Sequence, residues 1–125
     1  KTLNAEERRA VAESLSEEEL AVYDLLAKTG VKLTTRQEQE VKKIAKELLE
    51  RLKREKLVLD WRKKQQARAA VRQCIEQILD RLPQTFSGKV YEQACERSYL
   101  HVYDSYFGEG KSIYSIPPPR PSYVT

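Results

Sequence analysis

Residues 57–72 read Leu57-Val58-Leu59-Asp60-Trp61-Arg62-Lys63-Lys64-Gln65-Gln66-Ala67-Arg68-Ala69-Ala70-Val71-Arg72. The shape of the chain turns on whether this stretch continues one helix or separates two. Upstream, Thr35 and Glu38 have the spacing of a capping box, and Val41, Ile44, Leu48 and Leu52 recur at helical intervals to about Lys56. Downstream, Ala67, Val71, Cys74, Ile75, Ile78 and Leu82 form a second apolar stripe, which Pro83 stops. Joined, the two would make a rod of roughly 45 residues, far beyond an ordinary globular helix. Asp60 is a good N-cap residue directly before Trp61. The stretch is therefore read as a tight turn at 57–60 followed by a new helix, the two helices forming an antiparallel hairpin.

Further helices flank this hairpin. Asn4 and Glu7 mark a short first helix with Val11 and Leu15 on its apolar side. Ser16 and Glu19 make a second capping box, and Leu15 before the cap can staple onto Leu20. That second helix runs from Glu17 to about Lys28, buries Leu20, Tyr23, Leu26 and Ala27, and ends at Gly30. After the loop 84–88, a fifth helix spans about Lys89 to Phe107. Tyr91, Cys95, Ser98, Val102 and Tyr106 face one way; Leu100, Tyr103 and Phe107 face nearly the opposite way. A helix that is apolar on two sides is buried on both or expects a partner.

The expected fold is all-α: about five helices in one domain over 1–107, the long hairpin with the fifth helix packed across it, and no stable sheet. Residues 108–125 hold Gly108, Gly110, Pro117, Pro118, Pro119 and Pro121 and read as an extended tail. Pro118 and Pro121 have the spacing of a proline-rich docking ligand, but one such match is weak, and a plain terminus fits as well.

Length and composition narrow the function. The chain has 125 residues, one domain's worth, and starts at Lys1, so it reads as a fragment or a processed piece. Charged residues make up 34%, against roughly 25% in an ordinary soluble chain. No run approaches the apolar length of a membrane span and no signal peptide precedes the first helix, so a cytoplasmic protein is expected. Cys74 and Cys95 are read as buried, reduced helical cysteines; two thiols and one histidine, His101, do not make a zinc site. Gly110-Lys111-Ser112 looks like the end of a phosphate-binding loop, but Ser105 stands where its first glycine is needed. His101 has no triad partner in the sequence and sits on the flank of an apolar face, which suits a structural hydrogen bond. Carboxylates such as Glu47 and Glu50 lie four residues before Arg51 and Arg54, the pattern of helix-surface support. The chain by itself is read as having no catalytic residues.

The net charge of +4 is unevenly placed. Residues 1–41 carry 6 basic and 9 acidic side chains, net −3; residues 42–72 carry 12 and 4, net +8; residues 73–125 carry 5 and 6, net −1. The basic block ends in the quoted stretch. On a continuous helix Trp61, Lys64, Arg68 and Arg72 lie near one another, and Lys64 falls on the apolar stripe itself. Three readings stay open. The cations contact DNA phosphates; or Trp61 and the arginines anchor a protein interface; or aliphatic stems pack below while the charged heads sit in water.

The stretch 57–72 resembles the C-terminal region of the restriction (motor) subunit of type I restriction enzymes. So do the run Ser16 to Leu26 and the run from Tyr91-Glu92 through His101-Val102-Tyr103-Asp104-Ser105-Tyr106. The Trp61-Arg62-Lys63-Lys64-Gln65 segment is the specific one. In that family the subunit has a nuclease domain, two helicase-like ATPase domains and a helical region, and the complex moves DNA with ATP and cuts far from its recognition site. The resemblance implies that this segment docks the motor onto the methyltransferase and specificity subunits, with double-stranded DNA as a further candidate partner. It implies ATP and Mg for the parent subunit and none for this chain, which lacks the nuclease carboxylates and the phosphate-binding loop. The positions carried over are Asp60, Trp61, Arg62, Lys64, Gln65, Arg68 and Arg72, with Tyr99, His101, Tyr103 and Tyr106 as secondary contacts. A bacterial or archaeal cytoplasm, no membrane and no small-molecule substrate are implied with them.

Overall fold

A computed structural model describes residues 14–27, 32–108 and 111–114. The expected first helix, the Gly30 stop and the prolines after residue 114 lie outside the described residues. Four α-helices form the body: α1 (Glu17–Ala27), α2 (Thr35–Arg51), α3 (Gln65–Leu79) and α4 (Lys89–Ser105). Among the described residues no helix is long and apolar enough to cross a membrane.

The start of α1 follows the sequence. Ser16 Oγ accepts from the Glu19 amide at 3.1 Å and Glu19 Oε1 accepts from the Ser16 amide at 2.9 Å. Leu15 and Leu20 are both buried, as the staple requires. The box of α2 sits one residue earlier than expected. Thr34, not Thr35, caps the helix, and Gln37 returns the bond at 3.0 Å. Glu38 is engaged elsewhere: it accepts from the Tyr23 hydroxyl at 3.4 Å and ties α1 to α2.

The joint between α2 and α3 is longer than a simple turn. A π-helical turn, Leu52–Lys56, ends α2, closed by the Leu57 amide on the Leu52 carbonyl at 2.8 Å. In an α-helix residues five apart point about 140° away from each other. The wider turn brings Leu52 and Leu57 into the core together; both are buried. Val58 and Leu59 are then exposed, and Asp60 takes a left-handed conformation with φ 57°. A short 3-10 turn, Trp61–Lys63, leads to Lys64, whose extended backbone caps α3. The expected helix start at Asp60 is therefore corrected to Gln65, and Asp60 makes no side-chain cap. Lys64 does not lie on the apolar stripe of α3, because it precedes the helix.

The hairpin itself stands. Cys74 on α3 lies near Lys56 and Arg51, and Arg81 beyond α3 pairs with Glu47, so α2 and α3 run in opposite directions. Helix α3 ends at Leu79 rather than Leu82, and its last residues tighten into i→i+3 bonds at Arg81 and Leu82 before Pro83. Helix α4 runs back along α3: Tyr91 reaches Glu76 and Asp80, and Arg72 reaches Glu96. Just past its end, the Tyr106 hydroxyl donates to Glu18 on α1 at 2.9 Å. One core results, built around Trp61, Leu26, Leu48, Leu52, Ile75, Ile78 and Leu79. Cys74 and Cys95 are free and buried in it.

The expectation of no sheet is overturned. Helix α4 stops at Ser105, not Phe107, and β1 (Tyr106–Gly108) pairs antiparallel with β2 (Lys111–Ser112). The Ile113 amide also donates to the Ser105 carbonyl, which the helix end would otherwise leave unpaired. Ser112 is buried and the Tyr114 ring lies 6.0 Å from that of Tyr106, so the body extends to residue 114 rather than ending at 107.

Candidate functional site

Trp61 organises the region that the sequence marks. Its side chain is 0% exposed, and its indole Nε1–H donates to the Tyr106 carbonyl at 3.1 Å. The 3-10 turn makes this possible by dropping Trp61 out of the register of α3 and into the core. Tyr99 and Tyr103 on α4 meet the indole edge-on, at 6.4 and 5.8 Å. Edge-to-face pairs of this kind contribute about 0.5–1.5 kcal/mol each beyond area burial. Trp61 is thus a core anchor, a correction to its expected place on a contact surface.

The arginines of the stretch fasten onto this aromatic cluster. Arg62 lies over the Tyr103 ring at 5.5 Å and the Phe107 ring at 5.0 Å, and donates to the Tyr103 carbonyl at 3.1 Å. Arg68 donates to the Arg62 carbonyl at 2.6 Å, fixing the 3-10 turn against α3. Arg72 stacks over Tyr99 at 4.0 Å and pairs with Glu96 at 3.0 Å. The hydrogen bond to the Glu96 carboxylate holds the Arg72 pKa above its ordinary value, although partial burial opposes it. Each cation–π contact is worth about 0.5–1 kcal/mol at such exposed positions.

Trp61, Arg62, Arg68, Arg72, Tyr99 and Tyr103 therefore form one ledge across the α3–α4 seam. Tyr106 joins it through its backbone, while its ring points to the opposite side, toward Glu18 and α1. Burial and the nearby Glu18 carboxylate push the Tyr106 phenol pKa up. Asp60, Lys63, Lys64 and Gln65 are exposed at the rim of the ledge. His101 is not part of it. Its Nδ1 lies 3.4 Å from Ser105 Oγ, its Nε2 is buried without a partner, and burial lowers its pKa although Asp104 opposes this.

Val58, Leu59 and Phe107 adjoin this ledge, with the buried Gly108 beneath the 58–60 turn, and were not singled out as site residues by the sequence. The signal was an apolar pair, Val58-Leu59, standing at a helix joint where solvated turns are polar. Glu96 was equally silent; it could be read only as a carboxylate that the seam brings to Arg72.

Lys111 and Ser112 lie in a strand, with Ser112 buried, rather than at the mouth of a helix where a phosphate-binding loop needs them. Among the described residues no three or more His, Cys, Asp or Glu side chains are grouped to hold a metal ion.

A family model described as the C-terminal part of type I restriction enzyme HindI endonuclease subunit-like proteins matches residues 1–97. No curated protein and no solved structure matches the chain.

Proposed function

The chain belongs to the C-terminal family of type I restriction enzyme HindI endonuclease subunit-like proteins, and we propose that it is the assembly module of a restriction motor subunit, docking that motor onto the methyltransferase and specificity subunits. The observation that carries this reading is the engagement of the arginines. Arg62, Arg68 and Arg72 are each bonded or stacked within the fold. They build a rigid Arg–Tyr ledge instead of a row of free phosphate-seeking heads. Arginine and tyrosine held rigid on a surface are the composition of protein hot spots. In this reading the chain carries no catalytic residue. Cleavage of DNA, and the ATP and Mg that drive its movement, belong to other parts of a cytoplasmic bacterial or archaeal complex.

The test is retention of the purified methyltransferase–specificity core by the immobilised chain. Wild type holds the core; the double reversal Lys63→Glu, Lys64→Glu, at exposed rim positions, weakens it about tenfold or more. A core that passes through unretained sinks the reading.

A second reading, contact with double-stranded DNA, is favoured by Lys63 and Lys64, which are exposed and make no ion pair with the described residues. Phosphate contacts release counterions, so the logarithm of affinity falls with the logarithm of salt by about 0.9 per contact. Anisotropy of labelled duplex across a salt series checks it, and a flat response removes it.

A further inference from the structure

The Arg–Tyr ledge continues into an exposed apolar patch. Val58 is 46% exposed, Leu59 52%, Leu100 50% and Tyr103 36%. Two separate segments meet there. The turn at 58–60 rests directly on Gly108: a Cβ on that glycine would stand 2.4 Å from the Val58 carbonyl oxygen and 3.4 Å from the Asp60 amide. Phe107 adjoins Gly108 and carries Arg62 over its ring, and Arg62 also covers Tyr103. Leu100 lies one helical turn before Tyr103 on the same side of α4. Val58, Leu59, Phe107, Tyr103 and Leu100 thus form one surface across the joint and the last helix.

Its border is mostly cationic. Arg62, Lys63 and Lys64 edge it from the 3-10 turn, and Arg97 is exposed one turn before Leu100. Asp60 and Asp104 are the opposing charges. Contiguous apolar surface with a charged border marks a docking site. A phosphate backbone rewards the cations but gains nothing from Val58, Leu59 and Leu100. A protein face with apolar side chains bordered by carboxylates satisfies both parts at once.

We propose, resting on the assembly reading above, that the Val58–Leu59 tip and the Leu100–Tyr103–Phe107 ledge receive an acid-bordered apolar face of the methyltransferase–specificity core. The apolar side chains hold the partner, and the cations select its acidic border and speed its approach.

The experiment places a photo-crosslinking benzoylphenylalanine at position 59 or position 100 of the full chain. Each is irradiated with the purified core, with duplex DNA, and alone. Both positions are exposed, and unchanged Trp61 emission confirms that the fold is intact. The expected result is that both positions crosslink to one segment of the core, rich in Asp and Glu beside apolar residues. The double variant Leu59→Ser, Leu100→Ser then binds the core about tenfold more weakly. If the core is bound but neither position crosslinks and the double variant binds as wild type, this surface is wrong and the assembly reading survives. If the core is not bound at all, both fall. Crosslinks only to DNA, or only to a second copy of the chain, also overturn the proposal.

Discussion

Gly108 has φ +105°, and the space for a Cβ is filled by the Val58 carbonyl. Gly108→Ala therefore combines backbone strain with a collision against a neighbouring segment's main chain, costing about 2–3 kcal/mol. Gly88 has φ +57° and ψ −128° with nothing within 4 Å of its Cβ position, so Gly88→Ala carries backbone strain of about 1–3 kcal/mol and no collision. Chemical denaturation followed by Trp61 fluorescence measures both, and a Gly108→Ala variant as stable as the wild type would contradict the packing of the joint on β1. His101 gives a pH-dependent counterpart. Burial depresses its folded pKa below 6.5, so the unfolded chain binds a proton more readily. Stability is full above pH 6.5 and declines as pH falls toward the depressed value. His101→Leu flattens that decline in urea titrations at neutral and mildly acidic pH; an unchanged slope assigns it to other groups. Both residues were visible in the sequence, but their environments were not. Gly108 read as the start of a tail, because the Val58 carbonyl that demands a glycine is 50 positions away in the chain.

The helices were legible as elements because local patterns determine them. The stripe of α2, the box at Ser16 and the stop at Pro83 are all visible within a few residues. One cap was misplaced: Thr34 and Thr35 both begin a plausible box, and the structure caps with Thr34 and Gln37 while Glu38 meets Tyr23. Thr34→Ala is expected to destabilise the fold by about 1 kcal/mol, whereas Thr35→Ala costs only a few tenths. Thermal denaturation distinguishes them, and the reverse order would return the cap to Thr35. The ends of two elements failed to follow local rules for a shared reason. The Trp61 indole and the Tyr106 carbonyl are hydrogen-bonded across 45 positions. That bond accompanies a 3-10 turn where the pattern extends α3 backward, and a strand where it extends α4 forward. No window of sequence contains both partners.

In the whole molecule, α4 is the member with two distinct duties. One side joins the core through Cys95, Ser98 and Val102; the other presents Leu100 and Tyr103 beside the cations of the joint, and β1 adds the buried Tyr106 and then Phe107 at the helix end. The two-sided pattern was readable in the sequence, and so was the basic block. The division of labour within that block was not. A sequence places Trp61, Lys64, Arg68 and Arg72 on one helical face, yet the structure buries Trp61, lifts Lys64 to the rim and binds Arg68 and Arg72 to neighbouring segments. What the fold leaves at the surface is a firm ledge with a cationic border, the feature on which the assembly proposal rests.

An anisotropy titration of the fluorescently labelled chain with purified methyltransferase–specificity core, in the presence of excess unlabelled duplex, sets these possibilities against each other. Docking through the ledge gives saturable binding that persists against the duplex and weakens in Lys63→Glu, Lys64→Glu. Absence of binding to the core, or binding that the duplex removes completely, would contradict an assembly role.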